Sequence, residues 1–135
     1  MLNHTSGLCN VTDMLQLREP DGTGGYVNQD IVDMAARQRS LNFAPGSNYS
    51  YSNTGYLLLA RIAEKVSGSP ISKFTSDRIF KPLGMNNTGW RTNVNLVIPD
   101  RASAYKNGAA WVLSVPADNV HGSGGLLTTA GDLLI

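Results

Sequence analysis

The stretch from Leu59 to Val66 constrains this chain most. Leu59, Ile62, Ala63 and Val66 recur at i, i+3, i+4 and i+7, and Arg61, Glu64 and Lys65 fall between them on the other side. A strand has a period of two and cannot gather these residues on one face, whereas a helix can. The spacing predicts an amphipathic helix with its apolar stripe inward, ended by Ser67-Gly68. Ser69-Pro70 then restarts the chain with a capping residue and a proline suited to the first helical position. Ile71, Phe74 and Ile79 supply the next buried face before Pro82 and Gly84 stop it. Two helices therefore follow one another around a tight corner.

Upstream, Val27, Ile31, Met34 and Ala35 also recur at helical spacing, with Asn28 placed to cap the first turn and Pro45-Gly46 closing the segment. A helix is expected over about residues 28 to 40. After Met85 the pattern breaks into short segments, and Asn107-Gly108 separates residues 101–106 from residues 109–113 as a type I′ hairpin turn does. One small antiparallel ribbon is expected there. Gly122-Ser-Gly-Gly125 is a tight turn, and Thr129-Ala-Gly-Asp132 reads as a capping box opening a helix, with the sequence ending at Ile135.

Charge and hydropathy narrow the function classes. The net charge is +1, from 11 basic and 10 acidic residues, and no stripe of Lys and Arg exists to neutralise successive phosphates, so nucleic acid is not an expected partner. The longest aliphatic run, Leu57-Leu58-Leu59-Ala60, is far short of the ~20 residues of a membrane span. Nor does the N-terminus read as a signal peptide. A single cysteine, Cys9, precludes an internal disulfide and leaves the compartment undetermined. His4 and Cys9 are too few for a metal site, and His121 has no evident partner, so no metal or cofactor is expected. Asn-x-Ser/Thr triplets begin at Asn3, Asn10, Asn48 and Asn86, and they matter only in a protein secreted by a eukaryote.

Four blocks carry a family resemblance. They are Asn3-His-Thr-Ser-Gly-Leu8, Phe43-Ala-Pro-Gly-Ser-Asn-Tyr-Ser-Tyr-Ser-Asn-Thr-Gly-Tyr56, Ile79-Phe-Lys-Pro-Leu-Gly-Met85 with Thr88, and Gly124-Gly-Leu-Leu-Thr-Thr129 with Asp132. In this order and at these spacings the chain resembles the serine β-lactamase and penicillin-binding-protein group, which includes class C β-lactamases, D-alanyl-D-alanine carboxypeptidases and family VIII esterases. The resemblance implies an α+β, predominantly α chain: a helical lobe over about 28–85, a hairpin and loop region over about 86–128, and a truncated helix start at 129–135. It also implies that most of the family's central antiparallel sheet lies outside the chain. A cell-envelope or secreted protein is what the family suggests.

In that family a Ser-x-x-Lys helix, a Tyr-x-Asn turn and a Lys-Thr-Gly or His-x-Gly strand make the site. A serine hydroxyl needs a base to attack a carbonyl and an acid to release the leaving group, and oriented N–H groups hold the oxyanion. By resemblance, Tyr51 is the proton-shuttling tyrosine and Asn53 the asparagine that hydrogen-bonds the lysine and the substrate amide. Ser52 spaces them, and Gly124-Gly125 lines a neighbouring loop. The implied partner is a small-molecule or peptide acyl substrate. Read without the family, Tyr51 is an ordinary core tyrosine and Asn53 a helix cap.

Ser-x-x-Lys occurs once, as Ser103-Ala-Tyr-Lys106. It follows the Tyr-x-Asn turn instead of preceding it and lies in a segment read as strand, where positions three apart face opposite ways. It is therefore not read as the nucleophile. The chain is expected to be an excerpt with its Ser-x-x-Lys element before Met1 and its late strand after Ile135, inactive alone, marginal in stability and self-associating through its exposed lobe surface. The alternative is a non-catalytic lobe acting as a binding or interaction module. Trp90 and Trp111 are read as packing residues, and the Gly122 turn as a turn instead of a phosphate loop.

Overall fold

The computed structural model describes residues 1–18, 25–114 and 119–135. Its helices are α1 (Val11–Arg18), α2 (Asn28–Ala36), α3 (Asn53–Ser67), α4 (Ile71–Thr75) and α5 (Ala130–Leu133). Its strands are β1 (Gly89–Trp90), β2 (Tyr105–Asn107), β3 (Trp111–Leu113) and β4 (Leu126–Leu127). A π-helical turn, Ser76–Phe80, continues α4. Helices thus dominate, with two small antiparallel ribbons, β1 with β4 and β2 with β3. Residues 115–118 of the expected loop region lie outside the described residues.

The core gathers Val11 of α1, Tyr26, Ile31 of α2 and Leu57 of α3, with Met14, Leu15, Val32, Met34 and Val120 packed around them. Ile31 and Leu57 are fully buried, each removing a side chain worth about 1.5–3 kcal/mol from water. The long helix is present where its pattern places it, but it turns a different side inward. Thr54, Gly55, Leu57 and Ala60 are buried, while Ile62 and Val66 are 48% and 83% exposed. The predicted stripe of Leu59, Ile62, Ala63 and Val66 is therefore corrected by about half a turn. The cause is the glycine-rich turn. Gly122 sits at φ 116, and a Cβ there would lie 2.7 Å from Ala60 Cβ and 3.2 Å from Leu57 Cα, so its backbone covers the face of Leu57 and Ala60. Gly68 ends α3 at φ 66, as the Ser67-Gly68 signal requires.

The next helix carries a comparable shift with a visible cause. Buried positions run Ile71, Thr75, Phe80, spaced by four and then by five. Lys81 N–H reaches Ser76 O at 2.9 Å and Met85 N–H reaches Phe80 O at 2.8 Å, which widens this turn by one residue. Phe80 consequently replaces the predicted Ile79 in the interior, and Ile79 is 43% exposed. Asp77 fastens the wide turn from outside, accepting from Lys73 and from Lys81. Those two ammonium groups hold its carboxyl at a pKa of about 2.

Three other expectations are corrected. The helix predicted to about residue 40 ends at Ala36, because Gln38 is used as a tie: its Oε1 accepts from Cys9 N–H at 3.1 Å and its Nε2 donates to Ser40 O at 2.7 Å. Asn28 does not cap its helix but exchanges two hydrogen bonds with the backbone of His121, at 2.9 and 2.8 Å, while Asp30 reaches back to Val27 N–H. The hairpin pairs Tyr105 with Leu113 and Asn107 with Trp111, which leaves a three-residue loop in place of the expected two-residue turn. Trp111 is 69% exposed there and packs no core, contrary to its reading.

The second ribbon was not expected. Gly89–Trp90 pairs with Leu126–Leu127, and Asp132 stitches the same two segments together. Thr129 Oγ1 accepts from Asp132 N–H at 3.2 Å, so half of the predicted capping box forms. The carboxylate instead accepts from Thr88 Oγ1 at 2.7 Å and from Asn87 N–H at 2.8 Å. The Thr88 hydroxyl first, then the Asn87 donors, hold the Asp132 carboxyl below its ordinary value against an opposing effect of burial. A carboxyl depressed in the folded state stabilises above its unfolded pKa of ~3.9 and loses that contribution as pH falls through the folded value. Asp132→Asn is expected to lower the midpoint of thermal unfolding at pH 7 and to narrow the difference between pH 7 and pH 3. An unchanged midpoint at pH 7 would exclude this role.

Candidate active site

The Tyr51-Ser52-Asn53 turn is built by the segment that runs from His4 to Thr12. Ser50 N–H donates to His4 O at 3.0 Å, and Gly46 N–H to Thr5 O at 2.8 Å, so the two blocks lie side by side. The His4 ring stacks on Tyr51 with centroids 4.4 Å apart and on Tyr56 at 5.3 Å, and its Nδ1 accepts from Ser52 N–H at 3.2 Å. His4 itself takes a left-handed conformation, φ 55, to aim the ring. The ring thus braces the turn from its outer side. Ser52 is more than a spacer. It is almost fully buried, and its Oγ donates to Cys9 O, which also receives Thr54 Oγ1 at 2.6 Å. Thr54 Oγ1 in turn accepts from Val11 N–H at 2.8 Å, tying α3 to the start of α1.

The two predicted site residues emerge from this clamp on one side. Tyr51 is 55% exposed, and its hydroxyl donates to Asn53 Oδ1 at 3.2 Å. Tyr51 is therefore not a core tyrosine. Asn53 is not the helix cap either: Ser52 holds that position, and Asn53 is the first helical residue. Its backbone N–H and Nδ2 both donate to Asn10 Oδ1, at 3.0 and 3.2 Å, and Nδ2 also donates to Thr12 Oγ1 at 3.0 Å. Chemically the pair offers a phenolic oxygen and a carboxamide with one face toward solvent. A substrate could be met there by a proton donor or acceptor, the Tyr51 hydroxyl, and by a hydrogen-bond acceptor, Asn53 Oδ1, since both Nδ2 hydrogens are already engaged.

Ser103 and Lys106 do not form such a pair. Lys106 is in β2, Ser103 precedes the strand, both are exposed, and neither lies on a helix. Gly124 and Gly125 lie in the turn whose Gly122 packs on α3 at Leu57 and Ala60, and Gly125 O accepts from Arg91 N–H at the β1 ribbon. His121, read as unpartnered, packs beside Trp90 with centroids 6.2 Å apart and places Nε2 3.9 Å from Glu64 Oε1. Trp90, half-buried, donates from Nε1 to Thr75 Oγ1 at 2.9 Å and so ties β1 to α4. Asn10 and Thr12 were missed. Asn10-Val-Thr12 registered only as a glycosylation triplet, and nothing local announces a partner 43 residues away. Among the described residues no group of three or more His, Cys, Asp and Glu could hold a metal, and no helix is long and apolar enough to cross a membrane.

A family profile described as Beta-lactamase matches residues 1–135. Penicillin-binding protein 4* of Bacillus subtilis is 40% identical over 122 residues, covering 82% of this chain and 24% of that protein. A D-aminopeptidase of Brucella anthropi is 25% identical over 136 residues, covering 99% of this chain and 26% of its own. The crystal structure of a penicillin-binding protein from Bacillus halodurans superposes with a TM-score of 0.79 at 24% identity, over 98% of this chain and 42% of that one, a likeness of fold. The chain thus spans about a quarter of the length of these curated relatives.

Proposed function

Because this chain belongs to the beta-lactamase family, we propose that it supplies the Tyr51 and Asn53 part of a serine hydrolase site acting on an amide or ester acyl group. The observation that carries this reading is the exposed Tyr51 hydroxyl held 3.2 Å from Asn53 Oδ1 on a clamp of buried hydrogen bonds. Tyr51 serves as the proton shuttle, taking the proton of an attacking serine and returning it to the leaving group, and Asn53 orients the reacting groups. The serine and its lysine belong to a Ser-x-x-Lys helix on a segment other than these 135 residues, as does the strand that completes the oxyanion site. The relatives' names speak of penicillin binding and D-aminopeptidase action. For this chain the substrate class is a β-lactam, a D-alanyl peptide or a carboxylic ester.

The test is direct. A fluorescent acyl-serine probe and a p-nitrophenyl ester are expected to give neither labelling nor turnover with the 135-residue chain alone. Turnover that disappears in Ser103→Ala would overturn the assignment, because it would place the nucleophile in the exposed ribbon. In-frame Ser-x-x-Lys and Lys-Thr-Gly or His-x-Gly motifs in the flanking coding DNA are expected as well.

One observation favours a second reading, a lobe that works through contact. Met1, Val32, Leu58 and Ile62 line an open groove of about 580 Å³, and Leu2 and Val66 lie exposed on the same molecule. Apolar surface of this kind promotes association between copies. The isolated chain is expected to sediment as dimers or larger species at micromolar concentration, and Ile62→Lys to shift it toward monomer. A wild-type chain that stays monomeric and unfolds cooperatively would remove this reading.

A further inference from the structure

The carboxamide of Asn53 turns its oxygen toward the Tyr51 hydroxyl, and the reason lies on another element. Asn10, at the entrance to α1, accepts on Oδ1 from the backbone N–H of Asn53 at 3.0 Å and from Asn53 Nδ2 at 3.2 Å. A backbone N–H can only donate, so the Asn10 atom that faces it has to be the oxygen. The Asn53 atom sharing that oxygen has to be a donor, its Nδ2. Asn53 Oδ1 is left for Tyr51. Thr12 Oγ1 takes the second Nδ2 hydrogen at 3.0 Å. The NH₂ end of Asn10 points the opposite way and donates to Asp13 Oδ1 at 3.2 Å, a carboxylate that can only accept.

We infer that Asn10 and Asp13 are positioning residues: a one-way chain of hydrogen bonds, from Tyr51 through Asn53 and Asn10 to Asp13, fixes which end of the Asn53 carboxamide faces the Tyr51 hydroxyl. The inference rests on the proposed reading of Tyr51 and Asn53 as site residues. Its consequence is chemical. A group seated beside Tyr51 and Asn53 meets a carbonyl oxygen, so it has to bring a donor, either an ammonium or an amide N–H. Were the carboxamide reversed, the same place would present a donor and repel both.

The measurement is the hydrogen-exchange rate of the Asn53 side-chain amide by 15N NMR on the full chain. Asn10→Ala is expected to speed it about tenfold, the change that losing one hydrogen bond produces. Asn10→Asp combined with Asp13→Asn keeps an acceptor oxygen toward Asn53 and restores the link to residue 13 with its polarity reversed, avoiding two facing carboxylates, and is expected to retain the slow rate. Asp13→Ala, at an exposed position that leaves the fold intact, is expected to speed exchange about two- to threefold, since an exposed partner contributes less. An Asn10→Asp/Asp13→Asn double variant that exchanges as fast as Asn10→Ala, or an Asn10→Ala variant with native exchange at Asn53, would overturn the role of Asn10. An Asp13→Ala variant with the native rate would remove Asp13 from the chain and decides its part even where Asn10→Ala fails to fold. The readout is independent of turnover, so failure here and failure of the catalytic reading are separate results.

Discussion

Gly7→Ala is expected to destabilise the chain by about 2 to 5 kcal/mol and to loosen the turn that carries Tyr51 and Asn53. Gly7 sits at φ 75, where a residue with a Cβ loses about 1–2 kcal/mol. A Cβ there would also stand 2.3 Å from the carbonyl oxygen of Phe43 and 3.1 Å from Leu41 Cβ. The first of these neighbours is backbone and cannot rotate away, and forcing such a contact costs about another 1–3 kcal/mol. The same spot is a junction: Gly7 O accepts from Asn42 N–H at 2.8 Å and from Gln38 Nε2 at 3.4 Å. Moving it disturbs both strands of the clamp. Gly46→Ala is the natural control. Gly46 is also left-handed, at φ 85, but has nothing within 4 Å of the Cβ position, so only the conformational cost of about 1–2 kcal/mol applies. Urea unfolding of the two variants separates the effects. Equal losses would show that the clamp yields freely at Gly7. For a domain stable by about 5–15 kcal/mol, the expected difference decides whether the variant remains folded at all.

What the sequence makes legible follows from the range of the interactions involved. The helix around Leu57, the stop at Gly68 and the Thr129 cap are local, written in spacing and in single residues, and they are found where the pattern puts them. Which face of α3 is buried is not local. It depends on Gly122 arriving from 62 positions further along the chain to lie on Ala60, and a periodicity of Leu, Ile and Val cannot report that. The inward turn of Phe80 in place of Ile79 has the same character, because a π-helical turn adds a residue that no 3.6-residue template counts. The site divides along the same line. Tyr51 and Asn53 are two residues apart, so their shared face was legible. Asn10, Thr12 and Ser52 hold them through contacts more than 40 residues apart in the chain, and their types, Asn, Thr and Ser, are those that any loop uses. His4 and Tyr51 stand in two separate family blocks, and neither block tells that one ring packs against the other.

Tyr51→Phe is expected to lower kcat by about 10²–10⁴-fold, the usual contribution of a positioned acid or base, once this segment is grafted in place of its counterpart in a full-length relative. The substitution removes one oxygen and little else. A phenylalanine ring keeps the stacking on His4, and the hydrogen bond that is lost, to Asn53 Oδ1 at 3.2 Å, lies on the exposed side of the turn. Such a bond is worth at most about 1 kcal/mol of stability, so the midpoint of unfolding should barely move. KM should change little, because the hydroxyl acts on the proton in flight and not on the bound ground state. Asn53→Ala should behave differently. It removes the two Nδ2 hydrogen bonds to Asn10 and Thr12, which loosens the start of α3, and activity and stability should fall together. The contrast identifies the roles. If Tyr51→Phe kept its kcat while Asn53→Ala lost stability, the turn would be scaffolding alone. If Tyr51→Phe lost kcat with its unfolding midpoint intact, the hydroxyl would be acting on the reaction, since the fold has no other large use for that oxygen.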